Sequence, residues 1–385
     1  MSEILPDTSR PDHGEAIRWR PWGAAAFEEA TLLDRPVLLS LTAVWCAWSR
    51  RMDRETFADP AIAARVEEGA IPVRVDADRY PHVQDRYIAG GWPTNAFLAP
   101  TGEVLWAGTY VEPREFRMVM DQVLEAWEER RDELANEIER RRRALEASRS
   151  RNPALGLVRR EAADDVLVAA EQTFDSRNGG FGETPKFPIP EAIEWLLTGK
   201  GADLTGRVMM AERTLDGMLA GEIRDEVEGG FYRYALEPDW TEPRNEKVLA
   251  VNAGQLASYA LGAHLLGRAD WHAVAEETVQ WVEGTLRRPD GLWGGSQAAD
   301  EEYSRLDVDG RRARPRPDVD PVAYTDANAL WIRALVESGG RLGREDWIER
   351  GAEAFGRLLD RMAAPDGLLY HFHSPGAEPA VDGRS

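Results

Sequence analysis

No stretch constrains the fold more than Arg35 to Pro113. Pro36-Val37-Leu38-Leu39-Ser40-Leu41 is a short, saturated apolar run bounded by proline, the pattern of a buried strand. From Thr42 to Met52, a segment holding Trp45-Cys46-Ala47-Trp48-Ser49, the apolar spacing changes to that of a helix. A second strand is expected at Ile71 to Asp76, a third entered through Gly91-Trp92-Pro93-Thr94, and a fourth at Val104 to Gly108 after the Thr101-Gly102 turn. A helix opening on a cysteine sets that thiol beside unpaired backbone N–H groups and the positive end of the helix dipole, where a thiolate is favoured. Turnover at a dithiol centre also needs a resolving thiol three residues on. Ser49 holds that position and Cys46 is the only cysteine, so dithiol chemistry within this polypeptide is excluded on the sequence.

The order strand, thiol, helix, strand, helix, proline-entered strand and hairpin resembles a thioredoxin fold. Trp45-Cys46-Ala47-Trp48, Met52-Asp53-Arg54-Glu55-Thr56-Phe57, Val73-Arg74-Val75-Asp76, Gly91-Trp92-Pro93 and Gly108-Thr109-Tyr110 narrow the resemblance to one family. These are the thioredoxin-domain proteins of unassigned function that include spermatogenesis-associated thioredoxin-like proteins. The resemblance implies a multidomain chain, an α/β thioredoxin-like domain followed by an all-α helical-hairpin (α/α) toroid of the six-hairpin, N-acylglucosamine-epimerase type. It further implies a cis Trp92–Pro93 peptide holding a loop against the Cys46 sulfur. Cys46, Ser49 and Pro93 would then make up the redox-type centre, with Trp48 beside it. The family pattern has cysteine at both the Cys46 and Ser49 positions, and this chain departs from it at the second.

The segment after Asn152-Pro153 carries its own signal. Asn252-Ala253, Asp270-Trp271 and Pro289-Asp290-Gly291-Leu292 recur as Asn328-Ala329, Asp346-Trp347 and Pro365-Asp366-Gly367-Leu368, all at an offset of 76. Each unit reads as a helix, a turn, a second helix starting at Asp-Trp and a Pro-Asp-Gly stop. Such hairpins bury their apolar faces only against neighbours. Helices are expected near 154–174, 190–199, 205–221, 247–266, 271–287, 321–337 and 345–362, with strand signals largely absent. Seven helices fall short of the twelve in a closed six-hairpin ring, so a partial toroid is expected. The domain division is a polar tail over 1–17, a thioredoxin-like domain over 18–149 ending in one long bridging helix from Glu115 to about Arg149, and a toroid segment over 150–385. The basic run Arg140 to Arg143 in that helix reads as a solvated face flanked by glutamates.

Net charge is −21, from 68 acidic and 47 basic residues, and only Lys186, Lys200 and Lys247 are lysines. An acidic, lysine-poor surface suits a salt-rich interior, where repulsion is screened. GC-rich codon usage would account for the arginine excess but not for the charge. The same charge argues against nucleic-acid binding. Met1 to Arg20 shows no apolar leader and no run is long enough for a membrane span, and a lone cysteine agrees with a reducing, cytoplasmic compartment.

The family resemblance continues through Gly179-Gly180-Phe181-Gly182-Glu183-Thr184-Pro185-Lys186, Gly229-Gly230-Phe231-Tyr232-Arg233-Tyr234, Glu246-Lys247, Gln297 to Glu302 and Thr325 to Asn328, covering about residues 17 to 373. Departures fall at Tyr232 and Arg244, where the pattern favours His, and at Val251 and Ala298, where it favours Asp. In the toroid mouth the candidate acid/base groups are Glu246, Lys247, Asp300 and Asp326. Candidates for binding a sugar-like ligand are Glu183, Lys186, Arg233, Tyr234, Asn252 and Asn328, with Phe181, Phe231 and Trp293 as ring-stacking partners. The competing reading makes the Asp and Asn residues helix caps and the glycine-aromatic segments tight loops. Cys46 is open to two readings, a reactive thiol that forms a mixed disulfide with a small thiol, or a buried packing residue. His371 and His373 lack sequence-near carboxylate or cysteine partners, so no metal is expected, and no cofactor motif is present.

Overall fold

A computed structural model describes residues 17–151, 162–199 and 203–376, which divide near residue 156 into two compact units. The expected polar tail therefore lies outside the described residues, except for the buried Ile17.

The first unit is built on α1 (Ala24–Leu33), β1 (Val37–Thr42), α2 (Ala47–Glu55), α3 (Pro60–Gly69), β2 (Ile71–Asp76), α4 (Pro81–Tyr87), β3 (Thr94–Leu98), β4 (Val104–Gly108), α5 (Pro113–Glu129) and α6 (Arg131–Arg151). The sheet order is β2-β1-β3-β4, with β1 parallel to β2 and antiparallel to β3. β1 is buried throughout, which explains a run that is apolar on both faces except at Ser40 and Thr42. Successive side chains alternate between faces: Leu38 joins Met52, Phe57, Phe97 and Phe116, while Val37, Leu39 and Leu41 join Val73, Val75 and Ala96. The single bridging helix expected from Glu115 is two helices, interrupted at Arg130 (φ −123, ψ 34). The stripe Phe116, Met120, Leu124 and Trp127 fixes α5 on the domain, and Trp127 Nε1 donates to the Asp34 carbonyl at 3.0 Å. The described residues of α6 have no buried stripe to continue it. Arg140 to Arg143 pair with Glu137 and Glu139 on that helix, as a solvated face would.

The second unit comprises α7 (Ala162–Thr173), α8 (Pro190–Thr198), α9 (Leu204–Ala220), α10 (Leu249–Leu266), α11 (Ala269–Thr285), α12 (Glu301–Ser304), α13 (Val308–Arg312), α14 (Thr325–Leu342) and α15 (Glu345–Met362). α8, α10 and α14 stand side by side, and α9, α11 and α15 each pack back on the helix before them. This is the helical-hairpin arrangement of an α/α toroid. Short turns through Gly267 and Gly343, both left-handed, join α10 to α11 and α14 to α15, 76 residues apart. The return connections are long and converge on the N-terminal ends of α8, α10 and α14. They contain strands the sequence did not signal: β5 (Tyr234–Ala235) with β6 (Pro243–Arg244), β7 (Lys247–Val248) with β8 (Ser296–Gln297) and β9 (Val319–Asp320), and β10 (Ala323–Tyr324) with β11 (Phe372–His373). Two-residue strands have no room for the period-2 alternation by which strands are recognised. The core beneath is aromatic, with Trp240, Trp271, Trp293, Trp331 and Trp347 essentially inaccessible.

Candidate functional site

In the first unit the thiol lies where a strand hands over to a helix. Cys46 is the N-cap of α2, in extended conformation, and follows the turn that ends β1. Its Sγ–H donates to the Trp92 carbonyl at 3.5 Å, and the Trp92–Pro93 peptide is cis. The proline loop thus lies against the sulfur, and only 4 % of Cys46 is exposed. Trp45 and Trp92 meet edge to face at 5.3 Å, and Trp45 Nε1 donates to Asp78 at 2.7 Å. Ser49, fully buried one turn on, accepts from the Ala43 N–H at 3.5 Å. On the outer side, half-buried Trp48 packs on Tyr110 at 5.0 Å, with the Arg51 guanidinium near both rings and Tyr110 Oη donating to Glu55 at 2.6 Å. Cys46 and Ser49 thus share the first turn of α2 with the cis-proline loop at the sulfur, while Trp48 on the same turn packs on Tyr110.

In the second unit the long loops are built by a repeated device. Asp-x-x-x-Gly-Gly-Phe occurs at Asp175 and at Asp225. Each aspartate accepts two backbone N–H groups of its own turn, and all four glycines have positive φ, which a side chain would oppose. A buried lysine then ties each loop. Lys186 Nζ donates to Asp175 Oδ2 at 2.6 Å and to the Pro238 carbonyl, and Lys247 Nζ to Asp225 Oδ2 at 2.5 Å and the Gly229 carbonyl. Arg311 of α13 donates to Asp225 at 2.6 Å as well. Burial alone would raise both carboxyls, but the Lys247 and Arg311 charges hold Asp225 at about 2, and Lys186 with the turn N–H groups holds Asp175 well below the usual range. Burial pulls Lys247 down to about 8, with Asp225 pulling the other way.

Asn252 and Asn328 repeat a second device. Asn252 accepts from the Phe231 N–H at 2.7 Å and donates to the Phe231 and Val248 carbonyls. Asn328 does the same with Trp293, at 2.9 Å, and with the Trp293 and Tyr324 carbonyls. Both asparagines are fully buried, clamping a glycine-aromatic loop onto the helix that follows.

These placements correct part of the sequence expectation for the mouth. Phe231 and Trp293 are completely buried, stacked on Tyr259 and set edge-on to Trp331, so neither offers a face to a ligand. Asn252, Asn328, Lys186 and Lys247 spend their polar atoms on the protein. Glu246, also buried, accepts from Arg233 Nε at 2.7 Å. Asp300 caps α12 through the Tyr303 N–H, and Asp326 is exposed on the first turn of α14. Phe181 is half-buried beside Phe174, and Glu183 is exposed. What the mouth does present is Tyr234 stacked at 4.5 Å on Phe187, itself 43 % exposed, with Arg233 over the Tyr234 ring. Phe187, Asp225 and Arg311 were not among the sequence candidates; the duplicated Asp-x-x-x-Gly-Gly-Phe was the available signal for Asp225.

Residues 10–146 match the family described as Thioredox_DsbH, protein of unknown function, DUF255. Spermatogenesis-associated protein 20 of Homo sapiens is 29% identical over 315 residues, which is 75% of this chain and 40% of that protein. An uncharacterized protein of Caenorhabditis elegans is 30% identical over 267 residues, 63% of this chain and 36% of its own. The chain thus spans about 40% of the length of the human relative. Among solved structures, a DsbH oxidoreductase aligns with 32% of this chain and 95% of its own at 19% identity, TM-score 0.27. Cellobiose 2-epimerase from Spirochaeta thermophila aligns with 58% of this chain and 61% of its own at 14% identity, TM-score 0.45.

Proposed function

From the membership of its N-terminal region in the thioredoxin-like DUF255 family, we propose that this chain is a single-thiol exchange protein carried by a helical-hairpin domain. The observation behind it is the Cys46 sulfur, set at the start of α2 and against the Trp92 carbonyl of the cis-proline loop. As thiolate, Cys46 attacks one sulfur of a disulfide RS–SR, forms Cys46–S–S–R and expels the other half as RS⁻. Ser49 cannot attack the mixed disulfide, so release requires an external thiol, which regenerates the Cys46 thiol and leaves as a new disulfide. Incubation with a small aromatic disulfide should release one thiol per chain and then stop, with mass spectrometry placing the adduct on Cys46. Added glutathione should restart release. Absence of an adduct in the folded protein would make Cys46 a packing residue; continued turnover without added thiol would contradict the assignment of Ser49.

A second reading, a sugar-like ligand at the mouth of the second unit, draws on exposed Phe187 stacked on half-buried Tyr234, since aromatic faces suit sugar rings. The acid/base candidates Glu246 and Lys247 are engaged in buried ion pairs, which favours binding or scaffolding over catalysis there. Calorimetric titration with mono- and disaccharides, repeated with Tyr234→Ala, tests it: heat that Tyr234→Ala does not reduce counts against this site.

A further inference from the structure

The two Asp-x-x-x-Gly-Gly-Phe loops of the second unit are tied alike, with one difference. Asp175 is closed by Lys186 and by N–H groups of its own turn. Asp225 has the equivalent Lys247 and turn N–H groups, and in addition Arg311 of α13, which donates at 2.6 Å to the Oδ2 that Lys247 already occupies. The first loop stands without an arginine, so the second does not need Arg311 to hold its shape. Arg311 belongs to residues 298–318, an excursion between β8 and β9. Its ends are held together by the Gln297–Val319 pairing and by the Ala298 N–H, which donates to the Asp318 carbonyl at 2.8 Å. Of residues 300–318, Tyr303 and Arg311 alone are buried, and none from 298–318 is among the described residues of the hydrophobic core. Both reach one loop: Tyr303 Oη donates to Glu228 at 2.9 Å, and Arg311 contacts Glu228 at 3.3 Å besides Asp225. Further links are polar too, Asn245 Nδ2 to Ser304 Oγ at 2.6 Å, Arg316 to Glu228 at 3.7 Å and Arg244 to Glu301 at 3.9 Å.

We propose that α12 and α13 form a hinged cover at the mouth of the second unit, latched by Arg311 and Tyr303 onto the Asp225 loop. The latch closes on the Lys247–Asp225 pair and on Tyr232, whose hydroxyl interacts with both Asp225 and Arg311. Gln297, the cross-strand neighbour of Lys247, completes the floor. All four are buried, and Gln297 Nε2 has no acceptor among the described residues, an unmet donor for which a ligand oxygen is a partner. Opening strands no charge: Asp225 keeps Lys247 and its turn N–H groups, the set that suffices for Asp175, while Arg311, Glu228 and Tyr303 pass to water. A segment bound by polar contacts, without core packing, is of the kind that opens locally while the rest stays folded. What enters rests on the sugar-like ligand proposed for this mouth, to which the uncovered floor offers a phenol, an ammonium and a carboxamide.

With only Lys186, Lys200 and Lys247 in the sequence, amine labelling reads the cover directly. Lys186 and Lys247 are equally inaccessible, at 1 % and 2 %. The full chain is treated with an acetylating N-hydroxysuccinimide ester and the sites are mapped by peptide mass. Arg311→Gln should raise the labelling rate of Lys247 about tenfold and leave that of Lys186 unchanged. Tyr303→Phe, which keeps the ring and removes the hydroxyl, should raise it by a smaller factor. Such a rise does not come from charge: burial lowers the Lys247 pKa and the Arg311 charge adds to it, so losing Arg311 favours the protonated, unreactive amine. No saccharide enters the measurement, so its failure is separate from a failure of the titrations with sugars. Lys247 as slow as Lys186 in both variants overturns the cover. A rise of Lys186 together with Lys247 in either variant overturns it as well, because the segment is then part of the fold and not a cover on it.

Discussion

At the level of single residues, Cys46 and the two clamping asparagines show what one side chain decides. Ser49 sits at the resolving position, buried and close enough to accept from the Ala43 N–H, so it is part of the first turn and not a bystander. Ser49→Cys should therefore give a chain that loses two hydrogens on oxidation and catalyses disulfide reduction with a dithiol reductant. Intact mass and a turbidity assay check this, and an oxidised variant that keeps two free thiols would show the pair to be misaligned. Asn252 satisfies both the N–H and the C=O of Phe231 in a site without solvent. Asn252→Ala orphans both, and at about 1–3 kcal/mol for each buried group a loss of roughly 3 kcal/mol is expected in urea denaturation.

At the level of elements, what was legible in the sequence is what repeats over several residues. The saturated run at β1, the cysteine at the strand–helix junction and the helical hairpins at an offset of 76 are all where the sequence put them, and the cis Trp92–Pro93 peptide is where the family resemblance implied it. What stayed hidden depends on partners remote in sequence. Arg311 reaches Asp225 across 86 residues, and the choice between ligand group and structural clamp stays open for Asn252 in the sequence because its partner, the Phe231 backbone, has no sequence signature. Neither glycine nor proline marks the break at Arg130, so the sequence carries no sign of it. The Asp225–Lys247–Arg311 cluster holds α13 and the Gly229-Gly230 loop together, so its loss is felt by whole elements. Asp225→Ala strands two buried cations and should cost about 3–5 kcal/mol, with Asp225→Ala/Lys247→Met recovering part of it. Additive losses in the double variant would mean the two groups are not coupled.

For the whole molecule, two electrostatic effects act in different places and separate experimentally. The diffuse one is the net charge of −21, spread over exposed carboxylates and pushing the folded chain apart. Raising NaCl at pH 7 from about 0.1 M to about 1 M shortens the Debye length from about 10 Å to about 3 Å, and the midpoint of thermal unfolding should rise. The local effect is the buried aspartate of the second unit. Asp225 titrates at about 2 when folded, against 3.8 as its ordinary value. Its folded pKa lies below the unfolded one, so its stabilisation is present above about pH 4 and is lost as the pH falls through 2. Asp175, held low by Lys186, contributes in the same direction. At 1.36 kcal/mol per pKa unit, Asp225 alone accounts for about 2 kcal/mol of acid lability. Because the pair is inside the protein, that loss should persist in high salt, where the surface term has been screened away. Calorimetry across pH 2 to 5 at low and high NaCl should show two curves offset at pH 5 that fall with similar steepness below pH 4. A high-salt curve that stays flat to pH 2 would place the acid sensitivity on the surface and not at Asp225.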